Sequence, residues 1–225
     1  MGSKNKLRRF KENETFENVI QPSREELIND NFPFKGKWRE LVFKNDRPIV
    51  LELGCGKGEY TLALGALRPE TNHIGIDIKG ARFWRGAKTA LETGLRNVAF
   101  LRAQIELIAF AFDNHEIDEI WITFPDPQIK YRRTKHRMTN PEFLKSYQKI
   151  LKPEGIIHLK TDSEFMHGYT LGLLQGLGHE ILYSNHNVYK SDHTPDVVRT
   201  VQTFYESQYL AENKPITYLK FKFGS

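Results

Sequence analysis

The sequence holds a single cysteine, Cys55. One thiol supports neither a disulfide framework nor a zinc site of the Cys/His kind, so the chemistry is expected to run without a metal and in a reducing, cytoplasmic setting. No apolar run reaches the roughly 20 residues that a helix needs to cross a bilayer, and no membrane association is expected. Residues 1–11 are polar and basic and lack the apolar segment of a secretory signal. There is no internal repeat and no low-complexity stretch, which excludes solenoids, propellers and disordered tracts. Neither sign of charge dominates: 33 basic residues against 28 acidic ones leave a net +5, so the placement of the charges carries more information than their total.

What is present is an ordinary globular balance, 39% hydrophobic and 27% charged, on a chain of 225 residues that suits one α/β domain. Residues 1–35 read as a basic, flexible arm carrying Lys4, Lys6, Arg8, Arg9 and Lys11, either solvated or touching nucleic acid; residues 36–225 read as the domain. From Pro48 onward strand and helix patterns alternate. Ile49–Leu53, His73–Ile78, Val98–Leu101, Ile117–Phe124 and Ile156–Lys160 have strand composition. Helical patterns cover the residues after Gly58, then Ala81–Thr93, Pro141–Leu151 and Glu164–Leu177. The Pro141 helix has the clearest start, with Thr139 or Asn140 as cap and Pro141 in its first turn. Two late strands, near Ile181–Tyr183 and Ile216–Phe223, have no periodic helix between them and suggest an antiparallel edge. The expected fold is therefore α/β: a Rossmann-like, doubly wound, mostly parallel sheet with an antiparallel edge.

In such sheets ligands bind beyond the carboxyl ends of the strands, so the residues after each strand are the ones to read. After the first strand comes Glu52-Leu53-Gly54-Cys55-Gly56-Lys57-Gly58. A dinucleotide fingerprint needs a glycine three positions after the second one, and Glu59 stands there instead, which disfavours a nicotinamide cofactor. The spacing G-x-G-x-G with an acid two residues ahead is the pattern of S-adenosylmethionine (SAM) sites. Asp77 follows the second strand, 21 positions after Gly56, where a carboxylate can accept ribose hydroxyls. Gln104 follows the third strand and can offer an amide to an adenine edge. A glycine trio alone is equally a tight turn; bracketed by Glu52 and Asp77 it reads as a cofactor site.

The fourth strand ends in Phe124-Pro125-Asp126-Pro127, where two prolines stiffen the backbone around an acid at the reaction end of the sheet. Ten residues follow, from Gln128 to Arg137, and they include Lys130, Arg132, Arg133, Lys135, His136 and Arg137. A charge run is commonly a solvated loop; one that continues from the candidate reaction centre reads as a phosphate-binding surface for RNA or DNA.

These segments together resemble the bacterial tRNA (guanine-N7)-methyltransferases: Leu51 to Gly58, Gly75-Ile76-Asp77-Ile78-Lys79, Phe124-Pro125-Asp126-Pro127 with Lys130 and its basic tail, Lys160-Thr161-Asp162, and Thr203-Phe204-Tyr205-Glu206. The resemblance runs from about Pro48 to the C-terminus. It implies that Glu52, Gly54, Gly56, Gly58, Asp77, Gln104 and Asp126 line a SAM site, with Asp126 also catalytic. It implies that Lys130, Asp162 and Thr203 to Glu206 meet the target guanine, that Arg132, Arg133, Lys135, His136 and Arg137 hold tRNA, and that the target is the variable-loop guanosine at position 46. The chain departs from the family pattern in having Gln104 where Asp or Asn is usual. Gln128-Ile129 likewise replace an aromatic and a basic residue, and Phe204-Tyr205 replace Lys-Phe. From residue spacing alone, methylation of another nucleic-acid base and a non-catalytic RNA-binding subunit of the same fold stay open; a protein partner and the oligomeric state are not legible.

Overall fold

Every residue of Ile49–Leu53 is buried, as are all those of Asn72–Ile76 and Val98–Leu101, so these runs lie in the interior of a sheet covered on both faces. A computed structural model gives the arrangement. It describes the backbone of residues 3–224 and side chains from Asn5 onward, so Met1 and the Lys4 side chain of the basic arm lie outside the described residues.

The strands are β1 (Val19–Ile20), β2 (Ile49–Leu53), β3 (Asn72–Ile76), β4 (Val98–Leu101), β5 (Ile117–Thr123), β6 (Leu151–Thr161), β7 (Glu180–Asn185) and β8 (Thr217–Lys222). The helices are α1 (Ser3–Asn13), α2 (Arg24–Ile28), α3 (Glu59–Leu67), α4 (Gly80–Glu92), α5 (Ile108–Ala111), α6 (Pro141–Ile150), α7 (Glu164–Gly176), α8 (Asp196–Thr200) and α9 (Phe204–Ala211). A π-helical turn covers Trp38–Phe43 and a 3-10 segment covers Tyr131–His136.

The sheet order is β1-β4-β3-β2-β5-β6-β8-β7, parallel through β6 and antiparallel at β8 and β7. The mostly parallel, doubly wound sheet with an antiparallel edge is thus the observed fold. Strand alternation splits the core into two layers. Leu51, Leu53, Ile74, Ile76, Ile120 and Ile122 pack with Phe143 and Tyr147 of α6, Leu174 of α7 and Trp38 on one face. Val50 and Trp121 pack on the other face with Tyr60 and Leu64 of α3, Val198 of α8 and Tyr218. Phe83 and Ala87 of α4 close over Phe100 of β4 beside them.

Three local differences from the sequence reading have physical causes. Residues 3–13 of the expected irregular arm form α1, which docks on α4: Asn13 donates to the Gly80 carbonyl at 3.0 Å, Arg9 lies 4.6 Å over the Trp84 ring, and Lys88 pairs with Glu12 at 3.3 Å. Tertiary contacts, not a strong apolar stripe, hold this helix. The polar Asn18 continues the chain into β1 by donating to the Ala87 carbonyl. The span between the late strands, expected to lack a helix, holds α8 and α9. The start of α9 is set by a capping box in which the Thr203 side chain accepts from the Glu206 N–H and the Glu206 side chain reaches back to the Thr203 N–H. Finally, β6 opens one strand-turn early: its pairing shifts from Ile117↔Leu151 to Glu119↔Ile156, so the Lys152-Pro153-Glu154-Gly155 turn bulges between. Among the described residues no helix is long and apolar enough to cross a membrane.

Candidate active site

The glycine turn joins β2 to α3. Gly54, Gly56 and Gly58 all have left-handed φ, +75°, +58° and +77°, which L side chains rarely adopt. They differ in what surrounds them. A Cβ on Gly58 would lie 2.5 Å from the Phe100 ring, so that glycine serves packing. A Cβ on Gly56 would meet nothing nearer than 4.0 Å, so the backbone there faces open space in which a ligand can approach closely. Asp77, 8% exposed, holds this turn: Oδ2 accepts from the Gly56 N–H at 3.1 Å and Oδ1 from the Lys79 N–H at 2.7 Å. An acid at the carboxyl end of β3, next to an open glycine backbone, fits a nucleoside ligand such as SAM.

Glu52, the acid two residues ahead of the glycines, is engaged by the protein itself. It is 3% exposed, and both of its oxygens are engaged by protein donors. The Thr61 N–H donates at 2.8 Å, the Thr61 hydroxyl donates to the same oxygen, and the Thr123 hydroxyl donates to the other at 2.6 Å. Burial pushes its carboxyl up to about 7, against the lowering effect of these bonds. The acid thereby ties β2, α3 and β5 together beneath the turn. Gln104 is exposed at the end of β4 and its Oε1 accepts from the Arg24 guanidinium at 3.0 Å, which leaves its amide N–H groups for a ligand.

At the end of β5 the Phe124 N–H donates to the Lys160 carbonyl, and Phe124 takes φ +48°, strained for an aromatic residue. Asp126 emerges exposed, and its Oδ1 accepts from the Gln128 N–H at 3.1 Å. The flanking prolines and this bond fix the acid, as its sequence setting leads one to expect. Asp162 follows β6, the strand paired directly with β5, so the two acids leave neighbouring strand ends. Asp162 is half-buried and burial raises its carboxyl above the usual range.

Beyond Asp126, Lys130, Arg132, Arg133, Lys135 and His136 are exposed on the 3-10 segment and its approach, and Tyr131 is 93% exposed. None of the four Lys and Arg side chains here has a carboxylate partner within ion-pair distance among the described residues, so the segment is a free positive surface. Arg137, which sequence grouped with them, is buried instead. Its guanidinium donates to the Gln128 and Ile129 carbonyls at 3.2 Å and lies 4.8 and 4.5 Å over the Phe165 and Tyr169 rings. It anchors the base of the loop and is withdrawn from its surface.

The Thr203–Glu206 segment is likewise divided. Phe204 and Tyr205 are exposed, while Thr203 is spent on capping α9. Glu206 is fully buried, paired with the fully buried Lys160 ammonium at 2.7 Å and accepting from the Tyr189 hydroxyl at 2.6 Å. Lys160 also donates to the Val198 and Val201 carbonyls, at 2.6 and 2.9 Å. Burial lowers the Lys160 ammonium's proton affinity and the Glu206 charge opposes that. This pair welds β6 to α8 and α9, so in this structure Glu206 shapes the site from beneath. The one sequence signal for it is Lys160, a lysine that closes the strand-forming run Ile156–Lys160. Thr61 and Thr123, the donors to Glu52, carry no signal of their own. Among the described residues there is no cluster of His, Cys, Asp and Glu able to hold a metal ion.

The profile of a family described as "Putative methyltransferase" matches residues 46–219. A tRNA (guanine-N(7)-)-methyltransferase of Christiangramia forsetii is 71% identical over 222 residues, covering 99% of both chains. One from Bacteroides thetaiotaomicron is 45% identical over 97% of this chain and 86% of its own. Among solved structures, the 16S rRNA methyltransferase KamB superposes with a TM-score of 0.64 at 12% identity, over 84% of this chain and 94% of its own. An antibiotic-related methyltransferase superposes with a TM-score of 0.61 at 17% identity, over 93% and 98%. At those identities the likeness to solved structures is one of fold, whereas the sequence relatives match over most or all of their length. The chain belongs to the tRNA (guanine-N7)-methyltransferase family.

Proposed function

We propose that the protein transfers the methyl group of SAM to N7 of a guanine in tRNA, at the variable-loop position 46, in the cytoplasm. The observation that carries this is the convergence at one rim of the sheet. The open glycine turn with Asp77, the rigid Asp126 and the unpaired lysines and arginines from Lys130 to Lys135 all follow the carboxyl ends of adjacent strands. The residues fit the cofactor. The Gly54–Gly56 backbone would receive its amino-acid part, Asp77 its ribose, and Gln104 its base, while Glu52 would keep the turn in shape.

SAM supplies an electrophilic methyl group when bound. Guanine N7 offers an in-plane lone pair and carries no proton, so no general base is required of the protein. What its side chains do is align and neutralise. Asp126, fixed by Pro125, Pro127 and the Gln128 N–H, holds the guanine or stabilises the positive charge that develops on it, with Asp162 beside it. Lys130 stands at the start of the basic segment, four residues after Asp126. Arg132, Arg133, Lys135 and His136 grip backbone phosphates of a folded RNA and thereby set its register on the rim. The test is a pair of tRNA transcripts that differ only in the variable-loop guanosine. Transfer to the guanosine form and none to the adenosine form supports the reading; equal transfer to both places the target elsewhere.

A further inference from the structure

Lys57 lies in the cofactor turn and Glu59 is the first residue of α3, a stretch whose proposed cofactor contacts are made by backbone alone. Their side chains reach across to the C-terminal part of the chain. Glu59 Oε2 accepts from the Phe204 N–H at 2.9 Å, joining residues 145 apart in sequence. The Lys57 ammonium lies 4.3 Å over the Phe204 ring and 6.0 Å from that of Tyr205. Phe204 begins α9, so its N–H is one of the donors that the helix itself leaves unsatisfied, and a carboxylate there is favoured by the helix dipole.

Both ends of this connection are rigid. On one side the turn is pinned by Asp77 and by the packing of Gly58 on Phe100. On the other, Glu206 anchors α9 to Lys160 in the interior. Between them, Phe204 and Tyr205 stand 51% and 45% exposed with ring centroids 6.0 Å apart, although both are large apolar surfaces that burial would favour. Exposed aromatic faces beside a nucleic-acid site are stacking platforms for unstacked bases.

We propose that Lys57 and Glu59 are positioning residues: they clamp the Phe204–Tyr205 platform to the cofactor turn and thereby set a stacked RNA base at a fixed distance from the methyl donor. The proposal rests on the tRNA-methyltransferase reading for the identity of that base. The cofactor turn is then also part of the RNA-binding apparatus, through side chains that need touch neither ligand.

The experiment compares Lys57→Ala and Glu59→Ala with Lys57→Arg and Glu59→Gln, the second pair retaining the cation and the acceptor oxygen. Steady-state kinetics on tRNA are read beside calorimetric binding of S-adenosylhomocysteine without RNA. Glu59→Ala should raise KM for tRNA about tenfold and Lys57→Ala several-fold, with S-adenosylhomocysteine affinity held within about twofold and the conservative variants close to wild type. In a Phe204→Ala background, Lys57→Ala should add nothing further. Alanine variants with unchanged KM, or with cofactor affinity weakened as much as RNA affinity, overturn the proposal. Amide exchange in the RNA-free protein gives a readout independent of activity: the Phe204 amide should exchange at least about tenfold faster in Glu59→Ala. Unchanged protection overturns the clamp even in a fully active enzyme. A wild-type protein that methylates no tRNA instead refutes the functional reading, and the exchange result still decides whether the clamp exists.

Discussion

Replacing Glu206 by glutamine leaves the Lys160 ammonium in the interior with two carbonyls and no countercharge. Both side chains are fully buried, the pair is 2.7 Å apart, and Tyr189 and the Val198 and Val201 carbonyls complete the network. Removing one partner of a buried ion pair costs about 3–5 kcal/mol, because the remaining charge is neither solvated nor paired. For a chain of this size that corresponds to a drop in Tm of roughly 6–20 °C. Lys160→Met should cost a similar amount. Combined with Glu206→Leu it should cost at least about 2 kcal/mol less than the sum of the single changes, since the second substitution then removes a charge already stranded. Urea denaturation with an unchanged m-value is the assay. Stability and activity, read together, separate two roles for Glu206. A residue that shapes the site from beneath loses stability and activity together; one that touches the guanine loses activity at nearly constant stability. A loss below about 1 kcal/mol for Glu206→Gln, or additive single and double changes, would refute the structural role.

Other expectations follow from the same geometry. Asp126→Ala should lower transfer by at least about a hundredfold while leaving the urea midpoint nearly unmoved, because the acid is exposed and fixed only locally. The triple change Arg132→Ala, Arg133→Ala, Lys135→Ala should raise KM for tRNA more than it lowers kcat. It should also flatten the salt dependence of RNA binding by about 0.7–0.9 log units for each phosphate no longer neutralised; an unchanged slope removes the segment from the interface. Arg137→Ala should instead destabilise the fold by about 1–3 kcal/mol, since it removes the guanidinium's hydrogen bonds to the Gln128 and Ile129 carbonyls and empties the space over Phe165 and Tyr169. Glu52 sets a pH dependence. Its folded carboxyl lies at about 7 against an ordinary 4.5, so the folded state binds the extra proton. The resulting stability is fully present below 4.5 and is lost as pH rises through about 7, a change of about 3 kcal/mol. Glu52→Gln should make stability between pH 5 and pH 8 correspondingly flatter, as read by urea melts across that range.

The parts of this molecule legible in the sequence are those encoded by local pattern. The buried strands read as short apolar runs, the cofactor turn as a glycine spacing that left-handed backbone requires, and α6 as a capped amphipathic helix whose Asn140 does accept from the Glu142 and Phe143 N–H groups. What is not legible depends on distant partners. Arg137 is locally indistinguishable from Arg132 and Arg133, and only α7, which brings Phe165 and Tyr169 over it, takes it out of the RNA-facing set. Glu206 looks like the last residue of a binding motif until Lys160, 46 positions earlier, is placed beneath it. Glu52 has a motif position suited to a ligand, yet Thr61 and Thr123 occupy its oxygens. The α1 helix is held by Trp84 and Gly80 of α4, about seventy residues away, and its own sequence carries little apolar face to announce it.

The proposed reaction is methylation of guanine N7 in tRNA at one rim of the sheet. It is tested most directly by incubating the purified protein with methyl-labelled SAM and unmodified tRNA transcript, digesting the RNA and identifying the labelled nucleoside by mass spectrometry. Label is expected in 7-methylguanosine with the wild-type protein and is expected to be lost with Asp126→Ala. Label in any other nucleoside, or 7-methylguanosine formed undiminished by Asp126→Ala, would contradict it.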